Sequence, residues 1–151
     1  SATWPGQDVY FDRAFAARKA VLTALGTREY ARQSLLTLLP PWYITENDEL
    51  MIQQENYLGG SDQPVEIMES RIDAICAFDR RDRMGDIKAP TLVIVAEDDA
   101  VTPRYLSDQI ADGIAGAEKI VLPTGGHFLM QILIEDYNSS VGDFLRRHPM
   151  A

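Results

Sequence analysis

The chain has 151 residues, 46% of them hydrophobic and 25% charged, the balance of a globular domain that buries about 70% of its unfolded surface. A formal net charge of −9 argues against nucleic acid and anionic membrane surfaces as partners, because both call for basic patches. No apolar run approaches the roughly 18 residues of a membrane span, Ser1-Ala2-Thr3-Trp4-Pro5-Gly6 does not read as a signal peptide, and the single Cys76 has no second cysteine for a disulfide or a metal cluster; a cytoplasmic location is expected.

From Asp8 to about Arg83 the pattern is helical. Asp8 is placed to cap a helix carrying Phe11, Phe15, Val21, Leu22 and Leu25, stopped by Gly26. Thr27 is expected to cap a second helix with Tyr30, Leu35 and Leu38, stopped by Pro40-Pro41. A third is predicted from about Thr45 to Leu58, ending at Gly59-Gly60, and a fourth after Pro64, carrying Val65, Met68, Ile72, Ile75 and Cys76. Their apolar residues recur at helical spacing. Met51 and Met68 read as core fillers, and Arg80-Arg81 with Asp79 and Asp82 as a surface charge cluster.

From Ala89 onward the pattern alternates strand and helix, which makes the fold class α/β. Thr91–Ala96 is an uninterrupted apolar run, as in a parallel strand buried on both faces. Thr102 is expected to cap a helix with Pro103 at its first position, lined by Leu106, Ile110 and Ile114. Glu118–Leu122 is the second strand, and 136–147 a final helix with Tyr137, Val141, Phe144 and Leu145 inward. His148 follows it in a basic, solvated tail. Two parallel strands do not make an independent sheet. Their edges are expected to be covered by strands from elsewhere or by a second copy of the chain.

Two side chains carry the chemistry. Asp99 follows the first strand in Pro90-Thr91-Leu92-Val93-Ile94-Val95-Ala96-Glu97-Asp98-Asp99, and His127 follows the second in Pro123-Thr124-Gly125-Gly126-His127. Taken alone, the acidic pair fits a solvated turn that caps the next helix, and His127 fits a turn histidine bonded to backbone. A magnesium-binding receiver domain would need further strands carrying a second Asp and a Lys, and only one strand follows Asp99. Two distant histidines without a cysteine cluster give no metal-ligand spacing, so neither metal nor cofactor is expected.

Ala89–Pro103 and Pro123–Phe128 together resemble the segments of α/β-hydrolases that carry the acid and the histidine of a Ser-Asp-His triad, in that family's chain order. Counting from Ala96 places the acid at Asp99 rather than Asp98, and the interval of 28 residues to His127 is typical. Tyr10-Phe11-Asp12-Arg13-Ala14-Phe15, Pro40-Pro41-Trp42-Tyr43-Ile44 and Arg71–Asp79 are similar to cap segments of the aminoacrylate hydrolase and enol-lactonase branch. The resemblance implies a partial α/β-hydrolase fold: a helical cap over 1–84, then the last two parallel strands and their helices over 85–151. It also implies Asp99 and His127 as catalytic residues. Trp42, Tyr43 and Tyr57 are candidates to line a substrate pocket, with core packing the competing reading for Trp42.

The departure from the family is the nucleophile. No Gly-x-Ser-x-Gly is present, and in the nearest string, Gly59-Gly60-Ser61-Asp62-Gln63, glutamine stands where glycine is required. The expectation is therefore the C-terminal portion of a hydrolase of small esters, amides, lactones or carbamate-like substrates, inactive until an N-terminal half supplies the serine. The rival is a non-catalytic helical domain that self-associates.

Overall fold

The computed structural model describes residues 4–6, 8–60 and 63–149. Ser1, Ala2 and Thr3, and Ser61 and Asp62 of the nearest elbow-like string, lie outside the described residues. The chain forms two compact units, one spanning 6–79 and the other joining residues 4–5 to 80–149.

The first unit is helical. Helix α1 (Val9–Leu38) begins at Asp8, whose Oδ1 accepts from the N–H groups of Tyr10 and Phe11 at 2.9 and 3.1 Å. It is two helices joined at Gly26, whose φ of 83° and ψ of −175° break the hydrogen-bond ladder. Thr27 does not cap the second half. Its hydroxyl donates to the carbonyl of Gly59 at 2.9 Å and ties the kink to the end of α3 (Asp48–Gly59). Pro40-Pro41 is a start as well as a stop, because Pro41 opens α2 (Pro41–Glu46) at the position where proline's missing N–H costs nothing. The predicted single helix from Thr45 is thereby split at Asn47, whose amide donates to the Tyr43 carbonyl at 2.8 Å. α1 packs against α3 and α4 (Val65–Ala77). The buried residues Phe11, Phe15, Leu22, Leu35, Met51 and Ile72 form the core of this unit, with the Phe11 and Phe15 rings 4.5 Å apart.

The second unit is a two-stranded parallel sheet wrapped by helices. A 3₁₀ turn, Arg81–Asp86, carries the exposed Arg81 and Asp82, and the N–H of Arg80 donates to the Pro5 carbonyl at 2.8 Å. β1 (Leu92–Ala96) pairs with β2 (Glu118–Leu122) in the register Ile94↔Ile120 and Ala96↔Leu122. On one face Ile94, Ala96 and Leu122 pack with Leu129, Leu133, Tyr137 and Val141 from α6 (Leu129–Ile132), its following turn and α7 (Ile134–Arg147). No residue of α5 (Arg104–Gly113) enters that cluster; α5 packs on β1, whose other face carries Val93 and Val95. Val93 to Ala96 are all buried, as the apolar run predicts.

Three local expectations fail here. Thr102 is not a helix cap: α5 begins at Arg104 with Pro103 outside it, and the Thr102 hydroxyl goes to Asp99. Leu145 is 56% exposed, because α7 turns Phe144 into the core instead. His148 is not a solvated tail residue. Its ring lies 4.6 Å from that of Phe144, and its Nε2 is 3.1 Å from Glu118 Oε1 at the start of β2. No described helix is long and apolar enough to cross a membrane.

Candidate functional site

β1 and β2 run parallel, so both chains leave the sheet at the same end. Asp99 sits three residues past β1 and His127 five past β2. His127 follows Gly125 and Gly126, both at positive φ (121° and 57°), a path that side-chain-bearing residues rarely take. A Cβ on Gly125 would lie 2.9 Å from Cα and Cβ of Leu129. The two glycines thus let β2 fold sharply back and deliver the imidazole to the end of β1.

There His127 Nδ1 lies 3.0 Å from Asp99 Oδ2. The Asp99 side chain is fully buried and the ring is 23% exposed. Asp99 Oδ1 accepts from the N–H groups of Val101 and Thr102 at 2.8 and 2.9 Å, and Oδ2 accepts from the Thr102 hydroxyl at 3.1 Å. A carboxylate held by donors on both oxygens has only acceptance to offer the imidazole. The proton therefore sits on Nδ1, and Nε2 carries the lone pair. Nε2 has no hydrogen-bond partner among the described residues. That is the arrangement of a base: one nitrogen oriented by a buried carboxylate, the other open.

Two supporting residues escaped the sequence reading. Thr102 Oγ1 bridges, 3.1 Å from Asp99 Oδ2 and 3.4 Å from His127 Nδ1, and it is 1% exposed. The Asp99-x-x-Thr102 spacing is that of a local side-chain-to-backbone turn and could have announced it. Asp98 is not merely solvated: Oδ1 accepts the Gly126 N–H at 2.9 Å and Oδ2 the Thr124 hydroxyl at 2.6 Å.

The aromatic candidates lie in the other unit. Trp42 is 41% and Tyr57 80% exposed, so core packing does not describe either, and Tyr43 is half-buried with its ring edge-on to Trp42 at 5.7 Å. That unit also holds an open cleft of about 460 Å³ lined by Asp12, Phe15, Lys19, Ile72, Asp73 and Cys76, among others, and by none of those three aromatics. Burial, then the Asp12 and Asp73 carboxylates, push the Cys76 thiol above its usual pKa.

No family model matches the chain. Proteins provisionally named carbamate hydrolase RutD are similar to it. The one from Azorhizobium caulinodans is 34% identical over 141 residues, covering 93% of this chain and 53% of the relative. The one from Variovorax paradoxus is 34% identical over 144 residues, covering 95% and 54%. The chain thus spans about half the length of the curated relatives it matches. Among solved structures, the enol-lactonase from Burkholderia xenovorans superposes with a TM-score of 0.79 at 23% identity, over 89% of this chain and 50% of that one. An α/β hydrolase from a Medee basin deep-sea metagenome library gives 0.86 at 18% identity, over 99% and 55%. At such identities these neighbours speak for the fold, and the sequence relatives speak for the branch. The chain has the C-terminal portion of an α/β-hydrolase fold and is similar in sequence to the carbamate hydrolase branch of that fold.

Proposed function

We propose that Asp99 and His127 are the orienting acid and the general base of a serine-type hydrolase acting on a small ester, amide, lactone or carbamate. The observation that supports this most directly is a buried carboxylate holding Nδ1 while Nε2 stays open. In the proposed reaction a serine hydroxyl adds to the substrate carbonyl as its proton passes to His127 Nε2. The imidazolium, stabilised by Asp99, then returns that proton to the leaving group as the C–O or C–N bond breaks. Water repeats the sequence to free the acid. The exposed rings of Trp42 and Tyr57 and the half-buried ring of Tyr43 are assigned to the apolar part of the substrate, which suits flat side chains with a polar tip.

The serine is assigned to polypeptide outside this sequence, because Gly-x-Ser-x-Gly is absent from it. The oxyanion hole needs the backbone N–H that follows that serine. The isolated chain should neither turn over p-nitrophenyl acetate nor take up a fluorophosphonate probe. Joined to the nucleophile-bearing half of a relative, it should hydrolyse the ester, and His127→Ala should lower kcat on the order of 10⁶-fold. Probe labelling of Ser61 or any other serine of the isolated chain would overturn the reading, as would reconstituted activity indifferent to His127.

A second reading is association of the chain with a copy of itself. Leu25, Leu36, Ile52 and Tyr57 are between 52% and 80% exposed, and among the described residues β1 has β2 as its one strand neighbour. Sedimentation at micromolar concentration tests it, and a monomer sinks it.

A further inference from the structure

We infer that Asp98 is a positioning residue for His127, acting on the backbone of the turn while Asp99 acts on the ring. The inference rests on the acid–base reading of that pair. An exposed aspartate at a strand end ordinarily serves its own turn, bonding N–H groups two or three residues ahead. In this chain Asp99 has that local task, through Val101 and Thr102. The hydrogen bonds of Asp98 instead reach residues 26 and 28 positions away in sequence, the Thr124 hydroxyl at 2.6 Å and the Gly126 N–H at 2.9 Å. They cross from the end of β1 to the turn after β2, immediately before His127.

That turn needs such a tie. Gly125 and Gly126 both sit at positive φ and have more conformational freedom to lose than any other residue. A carboxylate accepting a backbone N–H makes one of the stronger hydrogen bonds available. With Asp98 in place, the peptide entering His127 is fixed on one side and the imidazole on the other. Without it, Asp99 alone must hold a ring mounted on a loose turn, and a base misplaced by about 1 Å costs on the order of 100-fold in rate.

The test uses Asp98→Ala, Asp98→Asn and Asp99→Asn in the full 151-residue chain. Two signals are read by NMR, exchange of the Gly126 amide and the His127 Nδ1–H resonance. After the chain is joined to the nucleophile-bearing half, kcat and KM for p-nitrophenyl acetate are read as well. Asp98→Ala should speed Gly126 exchange about tenfold, broaden the Nδ1–H resonance and lower kcat roughly 10- to 100-fold with KM within about twofold. Asp98→Asn keeps an oxygen for the Gly126 N–H and should recover most of each loss, which general destabilisation would not do. If Asp99→Asn abolishes the Nδ1–H signal and the activity while Asp98→Ala moves neither, this inference fails and the acid–base reading stands. If Asp99→Asn also changes nothing, the acid–base reading itself is wrong.

Discussion

The two units hold their charged groups in different ways. In the helical unit charges meet at the surface: Lys19 with Asp73 at 2.6 Å, and Arg32 with Glu29 and Glu55 at 2.8 and 2.9 Å. Its half-buried guanidinium, Arg18, is steadied by neutral groups, the Tyr30 and Ser34 hydroxyls and the Phe15 and Tyr30 rings. The sheet unit has surface pairs too, such as Lys119 with Asp108 at 2.6 Å and Arg104 with Glu97 at 2.8 Å, but it also buries a full carboxylate and surrounds it with four donors. Surface pairs are weakly stabilising and tolerant of change, whereas a buried carboxylate is stable only while every donor is in place. The helical unit is thus built for adjustable contact and the end of the sheet for fixed position.

The sharpest way to break that contrast is to remove one anion from each unit. Asp99→Ala leaves the N–H groups of Val101 and Thr102 and the Thr102 hydroxyl unpaired inside the protein. It should cost about 2–4 kcal/mol in urea unfolding. Asp73→Ala, which frees only a surface lysine, should shift the midpoint little. Equal shifts would mean that Asp99 is not held as tightly as its geometry implies.

A pair of glycines offers the next test. Gly125→Ala combines a φ of 121° with a Cβ jammed 2.9 Å from the Leu129 backbone, and should cost about 1–3 kcal/mol. Gly26→Ala in α1 meets positive φ but nothing within 4 Å, so it should cost about 1 kcal/mol. Thermal melts of the two variants settle the order. A larger loss at Gly26 would show that the helical kink, not the histidine turn, is the more constrained bend.

Much of this was legible in the chain itself. Asp8, Gly26 and the run Thr91–Ala96 act locally, through a cap, a positive φ and continuous apolarity, and local signals survive without a neighbour to interpret them. Asp99 and His127 were readable because each follows a strand in a distinctive turn, and the structure sets them 3.0 Å apart. What was not legible depends on partners distant in sequence. Thr27 bonds Gly59, Asp98 bonds Gly126, and Glu118 bonds Arg147 and His148, so the role of each is decided by tertiary packing. Leu145 fails for a related reason, since an i+8 position on α7 can satisfy the periodicity and still miss the sheet.

One buried group tests how complete the sheet unit's hydrogen bonding is. Ser107 on α5 is 0% exposed, and its hydroxyl has no hydrogen-bond partner among the described residues. An unpaired buried hydroxyl opposes folding, so Ser107→Ala should leave the chain as stable or up to about 1 kcal/mol more stable. A loss of stability in chemical denaturation would reveal a partner for Ser107, such as an ordered water.

The smallest effects separate the units by pH. In the sheet unit the hydrogen bond from His148 lowers the pKa of Glu118, helped by Arg147 and opposed by burial. A carboxyl whose folded pKa is depressed stabilises the protein above its unfolded pKa of about 4.3, and that stability is lost as pH falls through the folded value. In the helical unit the bond to Asp73 raises the pKa of Lys19, against a smaller effect of burial. The sign is reversed: stability is present below the unfolded pKa of about 10.4 and is lost as pH rises through the folded value. Both groups are partly exposed to solvent, so both contributions are screened and small. His148→Phe keeps a ring against Phe144 but removes the bond to Glu118, and should flatten the acid side of the stability curve alone. Asp73→Asn should flatten only the alkaline side. Stability measured against pH for the two variants decides the matter, and a change on the opposite side in either one would show that the units do not titrate separately.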